Sequence, residues 1–238
     1  MPHGLSLSNF GAVLFDVDGT LVDSAEMFVN GLGDAYEKYA TIRPSREQIL
    51  ALMGVPLTEQ LKLYQDREPS PDKLQEMIDY AIERYAVYEH HVTPFDAAIE
   101  TLQLCHEHGI KTALVTSKNA TELSGFMKRF SGAAFVDTTV CASDVLHPKP
   151  APDAALLACH RLGVPIEEAV FIGDSVYDMR CARDAGAASV AVAYGAAHQD
   201  VLAAEQPDLL LYTPEELLDW ARSTLLNRHA AKEEVRNC

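Results

Sequence analysis

The sequence predicts an α/β protein, a doubly wound parallel sheet with a small all-helical unit set into it. Three observations carry this. Short, nearly continuous apolar runs recur along the chain, as strands buried on both faces do in parallel sheets. Helical patterns alternate with these runs over short links, which implies right-handed strand–helix–strand connections. From about Ala25 to about His91 the strand signals stop.

The first strand is Ala12–Phe15. Phe28, Leu32, Ala35, Tyr36 and Tyr39 then fall at helical spacing. Ser45 with Gln48 marks another helix start, and Ser70-Pro71 opens one that runs through Met77, Ile78, Ala81, Tyr85 and Tyr88. Strands follow at Lys111–Val115, Ala134–Val140, Ala169–Ile172, Ser189–Ala193 and Leu209–Leu211. Between and after them lie helices at Asp96–His108, Thr121–Phe130, Pro152–Leu162, Val176–Ala185 and Pro214–Leu226. The last has a clear start, because Thr213 can cap, Pro214 suits the first helical position and Glu216 completes a capping box. The polar tail Asn227–Cys238 is expected to fray. Residues 1–22 and 92–238 are expected to form the α/β core, with 23–91 as a helical cap between Ser24-Ala25 and Pro94 as crossing points.

Composition excludes several classes. The chain has 238 residues, 48% hydrophobic and 23% charged, which is globular rather than disordered. Its net charge of −16 gives no general attraction for nucleic acid or anionic lipid. An anionic ligand must therefore be held locally, by a metal, a placed Lys or backbone amides. No charge-free stretch exceeds 15 residues, and a membrane span needs about 18 or more apolar ones. The first apolar run lacks a preceding Lys or Arg and is broken by Asp16, unlike a signal peptide. The five Cys form no CxxC pair, and the odd count fits reduced thiols in a cytoplasmic protein. Nothing calls for an oligomer beyond a monomer or weak homodimer.

Four stations carry chemistry. The first strand ends in Asp16-Val17-Asp18-Gly19-Thr20. In an extended segment Asp16 and Asp18 point the same way. Their repulsion, about 4 kcal/mol at about 4 Å in an effective dielectric of about 20, invites a hard cation such as Mg²⁺. An Asx-rich turn is the plainer alternative. At the second station, Thr116-Ser117-Lys118-Asn119 closes a strand before a helix, where hydroxyls and free amides can cradle a phosphate. The same residues also suit ordinary helix capping. At the third, prolines 148, 150 and 152 stiffen the backbone around Lys149, which is otherwise a surface lysine. The fourth is Gly173-Asp174-Ser175-Val176-Tyr177-Asp178. Asp174 sits at a strand tip and Asp178 one helical turn on, where helix capping would also place acids.

Taken together, Asp-x-Asp-Gly-Thr-Leu-x-Asp-Ser, Thr-Ser, a lone Lys and Gly-Asp-Ser-x-x-Asp, each at the end of a strand, resemble the haloacid dehalogenase superfamily. The layout resembles its phosphoglycolate-phosphatase-like branch, with a helical cap directly after the first motif. The resemblance implies a Rossmann-like core and an Mg²⁺-dependent phosphatase acting on small phosphorylated metabolites, either phosphoglycolate-like or sugar phosphates. It implies Asp16 as nucleophile, forming an aspartyl-phosphate, and Asp18 as general acid and then base. It implies Mg²⁺ held by Asp16, the Asp18 carbonyl and Asp174. Thr116 and the Ser117 amide would bind phosphoryl oxygens, Lys149 would neutralise charge, and Asp178 would orient Lys149 or a metal-bound water.

The dehalogenases of this superfamily lack the second Asp of the first motif, and Asp18 is present. The cap segment around Gly54 resembles the substrate loop of the branch, although it also reads as a helix–helix turn. Sugar-phosphate mutases carry an Arg shortly after that Gly; here stand Val55, Pro56 and Leu57, leaving Arg43, Arg46 or Lys62 as substitutes. Two alternatives stay open: a β-phosphoglucomutase-type phosphomutase and a non-catalytic regulator that binds a phosphorylated ligand. Loss of Asp16 or Lys149 would favour the regulator, and both are present. Trp220, Cys105 and Cys159 read as packing residues, His106 and His108 as helix-end residues, and His90-His91 as neighbours that point apart.

Overall fold

The computed structural model describes residues 5–40 and 42–236, with side chains through residue 225. In chain order, β1 (Ala12–Phe15) is followed by a short strand β2 (Val22–Asp23) and four helices, α1 (Ala25–Tyr39), α2 (Arg46–Leu50), α3 (Leu57–Lys62) and α4 (Pro71–Tyr88). A second short strand β3 (Thr93–Pro94) leads to α5 (Asp96–Glu107) and β4 (Lys111–Val115). The remainder alternates: α6 (Ala120–Met127), β5 (Thr138–Val140), α7 (Asp153–Leu162), β6 (Ala169–Gly173), α8 (Val176–Ala185), β7 (Ala188–Val192), α9 (Gln199–Ala204), β8 (Leu209–Leu211) and α10 (Pro214–Arg236).

Six strands form one all-parallel sheet in the order β5-β4-β1-β6-β7-β8. The two-residue alternation of a strand divides their side chains between the faces. Val13, Phe15, Leu114, Val170 and Ile172 pack on one side with residues of α5 and α10. Ala12, Leu14, Ala113, Val115 and Phe171 pack on the other with residues of α7 and α8. Burial on both faces is why these strands read as continuous apolar runs. β1 lies between β4 and β6, where the strand order reverses, so the carboxyl ends of these three strands open into one crevice.

Helices α1 to α4 share a separate cluster built on Leu32, Tyr36, Leu61, Met77 and Tyr85. Ser45 and Ser70 both cap their helices as their sequence positions suggest. In α1, Gly31 answers to a close approach, because a Cβ there would lie 2.4 Å from the Tyr85 ring. Gly31→Ala is therefore expected to lower stability by about 1–3 kcal/mol, although Ala is the better helix former. Urea unfolding checks this, and an unchanged or raised midpoint would contradict it.

Several expectations need correction. Of Ala134–Val140 only Thr138–Val140 is strand; Ala133–Phe135 forms a 3₁₀ turn, and the Phe135 carbonyl accepts from the Thr112 hydroxyl instead of pairing in the sheet. Asn119 and Glu122 form a capping box, so α6 starts at Ala120 rather than Thr121 and ends at Met127 rather than Phe130. The short α3 and α9 were not expected, nor was the antiparallel β2–β3 ribbon at the two crossing points. Helix α10 runs to Arg236, so the tail expected to fray is helical up to that residue; 237–238 lie outside the described residues. His90 and His91 do not point apart: a 3₁₀ turn brings their ring centroids to 4.1 Å. Cys105 and Cys159 are core residues as expected, and the Trp220 indole packs on the core while donating to the Leu5 carbonyl at 3.1 Å.

Candidate active site

The crevice gathers one residue set from each of the three central strands and the loop before α7. Asp16 follows β1, Thr116 follows β4, and Asp174 follows β6. Lys149 reaches in from the proline-rich loop. Its Nζ donates to Asp16 Oδ1 at 2.7 Å, to Asp178 Oδ1 at 2.7 Å and to the Val115 carbonyl at 3.1 Å. All three ammonium hydrogens are thereby used. The Lys149 side chain is 1% exposed. Burial opposes its charge, but the Asp16 and Asp178 carboxylates outweigh burial and raise its pKa.

Asp178 performs two tasks. As the third residue of α8 it accepts from the Ser175 amide at 3.0 Å and the Ser175 hydroxyl at 2.6 Å, closing a capping box. Its other oxygen meets Lys149. One side chain thus both closes the capping box and meets Lys149.

Asp16, Asp174 and Asp178 offer carboxylate oxygens that lie within 4.8 Å of one another, all buried. Burial, then the charge of Asp178, push the Asp16 carboxyl up to about 7 against the pull of Lys149. Burial, then Asp16 and Asp178, raise Asp174 well above the usual carboxylate range. Three buried carboxylates facing one ammonium leave a negative excess, and an all-oxygen donor set suits a hard divalent cation. The backbone is shaped around this spot: a Cβ on Gly19 or Gly195 would fall 2.1 or 2.2 Å from Asp174 Oδ2. That oxygen also accepts the Ala196 amide at 2.7 Å.

The carboxylate of Asp18 faces elsewhere. It accepts from the Ser24 hydroxyl at 2.7 Å and from Lys118 Nζ, 2.7 Å from Oδ2. It is therefore outside the acidic group, in which Asp178 stands instead, and a metal role for Asp18 rests on its carbonyl alone. Thr116 is buried, and its hydroxyl accepts the Lys118 amide at 3.2 Å. The Ser117 hydroxyl donates to the Gly54 carbonyl at 2.5 Å, which leaves its amide as the group able to meet a phosphoryl oxygen. Gly54 has φ +90 and lies against Ser175 and Tyr177, so this cap loop touches the core beside two of the four stations.

The sequence profile of haloacid dehalogenase-like hydrolases matches residues 13–192. The protein belongs to this family. Among its relatives, pyrophosphatase PpaX of Halalkalibacterium halodurans is 31% identical over 209 residues, covering 87% of this chain and 94% of the relative. The N-acetylmuramic acid 6-phosphate phosphatase of Pseudomonas aeruginosa is 32% identical over 222 residues, with coverages of 87% and 93%. In structure, a haloacid dehalogenase-like hydrolase from Bacteroides fragilis superposes with TM-score 0.79 at 25% identity, covering 87% of this chain and 99% of that one. The fold is shared with a predicted phosphoglycolate phosphatase from Haemophilus somnus, TM-score 0.78 at 21% identity, with coverages of 91% and 99%.

Sequence reasoning placed Asp16, Thr116, Lys149, Asp174 and Asp178 of this hydrolase in one crevice, and there they meet. It missed Lys118 as a partner of Asp18, and it missed Glu122, Gln60 and Tyr85 as lining of the site. Lys118 stood inside a motif already singled out, and its position one residue past Ser117 was the available signal. Gln60 and Tyr85 carried none, because each looks like an ordinary residue on a cap helix. Among the described residues no helix is long and apolar enough to cross a membrane.

Proposed function

We propose that the protein is an Mg²⁺-dependent phosphatase of small phosphorylated metabolites that works through a phosphoryl-Asp16 intermediate. The observation that carries this is Lys149 held between Asp16 and Asp178, with Asp174 adjoining them. A carboxylate that attacks a phosphoryl dianion needs positive charge between the two. A cation held by Asp16, Asp174 and the Asp18 carbonyl, with Asp178 near, would supply charge neutralisation in addition to Lys149. The Asp16 carboxylate attacks phosphorus, and the leaving oxygen takes a proton from Asp18. Asp18 then takes a proton from the water that attacks the acyl phosphate, which frees Asp16. Lys118 and Ser24 orient Asp18 for both transfers. Thr116 and the Ser117 amide hold the remaining phosphoryl oxygens.

Residues 23–91 act as the cap, with 1–22 and 92–238 as the core. Support comes from the separate hydrophobic cluster of α1 to α4 and from the β2–β3 ribbon at both crossing points. Closing such a cap excludes water while the acyl phosphate forms.

The relatives' names point to hydrolysis of phosphate esters or anhydrides. A mutase needs a cation for a second phosphate. The exposed Arg43 pairs with Glu37 and Arg46 with Glu26, the half-buried Lys62 pairs with Glu59, and none of the three lines the cavity at Asp16. This favours hydrolysis. A phosphate-release screen over phosphorylated metabolites with Mg²⁺ tests the reading. Turnover of at least one substrate, abolished by chelation, is expected; no release from any substrate would contradict it.

A metal prediction needs no substrate. Mg²⁺ is expected to raise the thermal unfolding midpoint of chelator-treated protein, because it relieves repulsion within the acidic group. Asp174→Asn removes one of the repelling charges, so its metal-free form is expected to melt at or above the parent and its Mg²⁺ shift to vanish. An equal Mg²⁺ shift in the variant would place the cation elsewhere.

A further inference from the structure

Among the described residues, two buried polar groups that line the cavity with Asp16 and Asp18 have no partner. The Tyr85 hydroxyl, on a residue 8% exposed, makes no hydrogen bond among the described residues. Burial raises its pKa well above the ordinary tyrosine value, so it remains a donor. Gln60 is 3% exposed. Its Nε2 donates to the Leu52 carbonyl at 3.0 Å and the Val55 carbonyl at 2.7 Å. Those two acceptors fix the orientation of the amide and leave Oε1 as an unpaired acceptor. Both residues line the small cavity, about 50 Å³, that holds Asp16 and Asp18. The chain makes room for the Tyr85 ring, since Gly31 is the residue that lets it pack there.

This cavity continues into a larger one. Asp18, Met27, Tyr85, Lys118 and Glu122 also line a cleft of about 590 Å³. Its further walls are mostly apolar, with Ile82 and Ala86 on α4, Ile99 on α5 and Phe126 on α6. Gly125 completes the α6 wall. A Cβ there would meet only the Arg129 guanidinium, at 3.7 Å, so packing does not require a glycine inside this helix. At the rim Arg129 pairs with Glu89, joining α6 to the end of α4.

We propose that this cleft receives the leaving group of the substrate, an alcohol with a largely apolar body and a hydroxyl close to the ester oxygen. The inference rests on the phosphatase reading of the same site. Tyr85 donates to that hydroxyl and Gln60 Oε1 accepts from it, since a hydroxyl is a small neutral group able to satisfy both. Buried polar groups of this kind discriminate strongly against ligands that leave them unpaired. A volume of this size holds a small organic group. Inorganic pyrophosphate fits poorly. Its leaving phosphate asks for free cations, yet Lys118 is engaged by Asp18 and Arg129 by Glu89, while Gln60 Oε1 and Glu122 present oxygens.

The test compares glycerol 3-phosphate, its 1-O-benzyl ether and inorganic pyrophosphate, each with Mg²⁺. The two esters share the hydroxyl next to the phosphate-bearing carbon and differ in the apolar body. The parent protein is expected to favour the benzyl ether over glycerol 3-phosphate by about tenfold or more in kcat/KM. Gly125→Leu, which fills the cleft from the core side, is expected to erase this preference. Ala86→Phe, which fills it from the cap side, is expected to do the same and guards against a fault peculiar to one variant. Tyr85→Phe is expected to lower the ratio of ester to pyrophosphate turnover by about tenfold. Turnover of pyrophosphate or glycerol 3-phosphate with no preference for the benzyl ether would overturn the inference and leave the phosphatase reading standing. A preference that survives both filling variants would also overturn it. No hydrolysis of any of the three, nor of any compound in the wider screen, would overturn both.

Discussion

Asp16→Asn is expected to lower kcat by about three orders of magnitude or more while the protein stays folded. The substitution keeps the shape of the side chain and removes the charge that would attack phosphorus. Asp16 is 3% exposed and its carboxyl is raised to about 7, so its charged form is already costly to bury. Its neutral amide removes one source of repulsion with Asp174 and Asp178, and Lys149 keeps Asp178 as a partner. Circular dichroism and a phosphate-release assay on one confirmed substrate check the two halves. Retention of more than about a tenth of the parent rate would end the nucleophile assignment.

Lys149→Met carries the second large effect, on stability as well as rate. The ammonium is the one cation bonded to Asp16 and Asp178 among the described residues. Without it, buried carboxylates within 4.8 Å of one another lose their compensating charge. Breaking a buried ion pair by removing one partner costs about 3–5 kcal/mol. Urea unfolding without metal is expected to show a loss of that size, partly recovered on adding Mg²⁺. A loss under about 1 kcal/mol would mean that Lys149 is not what holds the acidic group together.

The legible part of this protein is the part where one local rule decides. The strands β1, β4 and β6 are buried on both faces, so their apolar runs announced them, and three motifs sat at strand ends that the sheet order then brought together; the Lys149 motif does not end a strand but lies in the loop before α7, nine residues past β5. Gly-Asp-Ser-x-x-Asp placed Asp174 and Asp178 correctly because the capping box with Ser175 is a local feature. Short elements were hidden. The six residues of α3 and of α9 give too little periodicity, and Ala133–Phe135 is as apolar as a strand although its backbone turns. Partners across elements were also hidden. Lys118 meets Asp18 over a sequence separation of 100 residues, and the Ser117 contact with Gly54 spans 63. The first depends on β1 pairing with β4 and the second on how the turn between α2 and α3 rests against the strand ends, and no local pattern encodes either.

In the proposed mechanism Asp16 carries the phosphoryl group. Borohydride reduces an acyl phosphate to a primary alcohol and leaves free carboxylates intact. The direct measurement is therefore to mix enzyme, Mg²⁺ and a confirmed substrate, quench rapidly, reduce, and sequence the peptide that spans residues 12–23 by mass spectrometry. The reduced side chain is expected at position 16, with an intact carboxylate at position 18. Reduction at any other position, or none under conditions where substrate is being consumed, would contradict it.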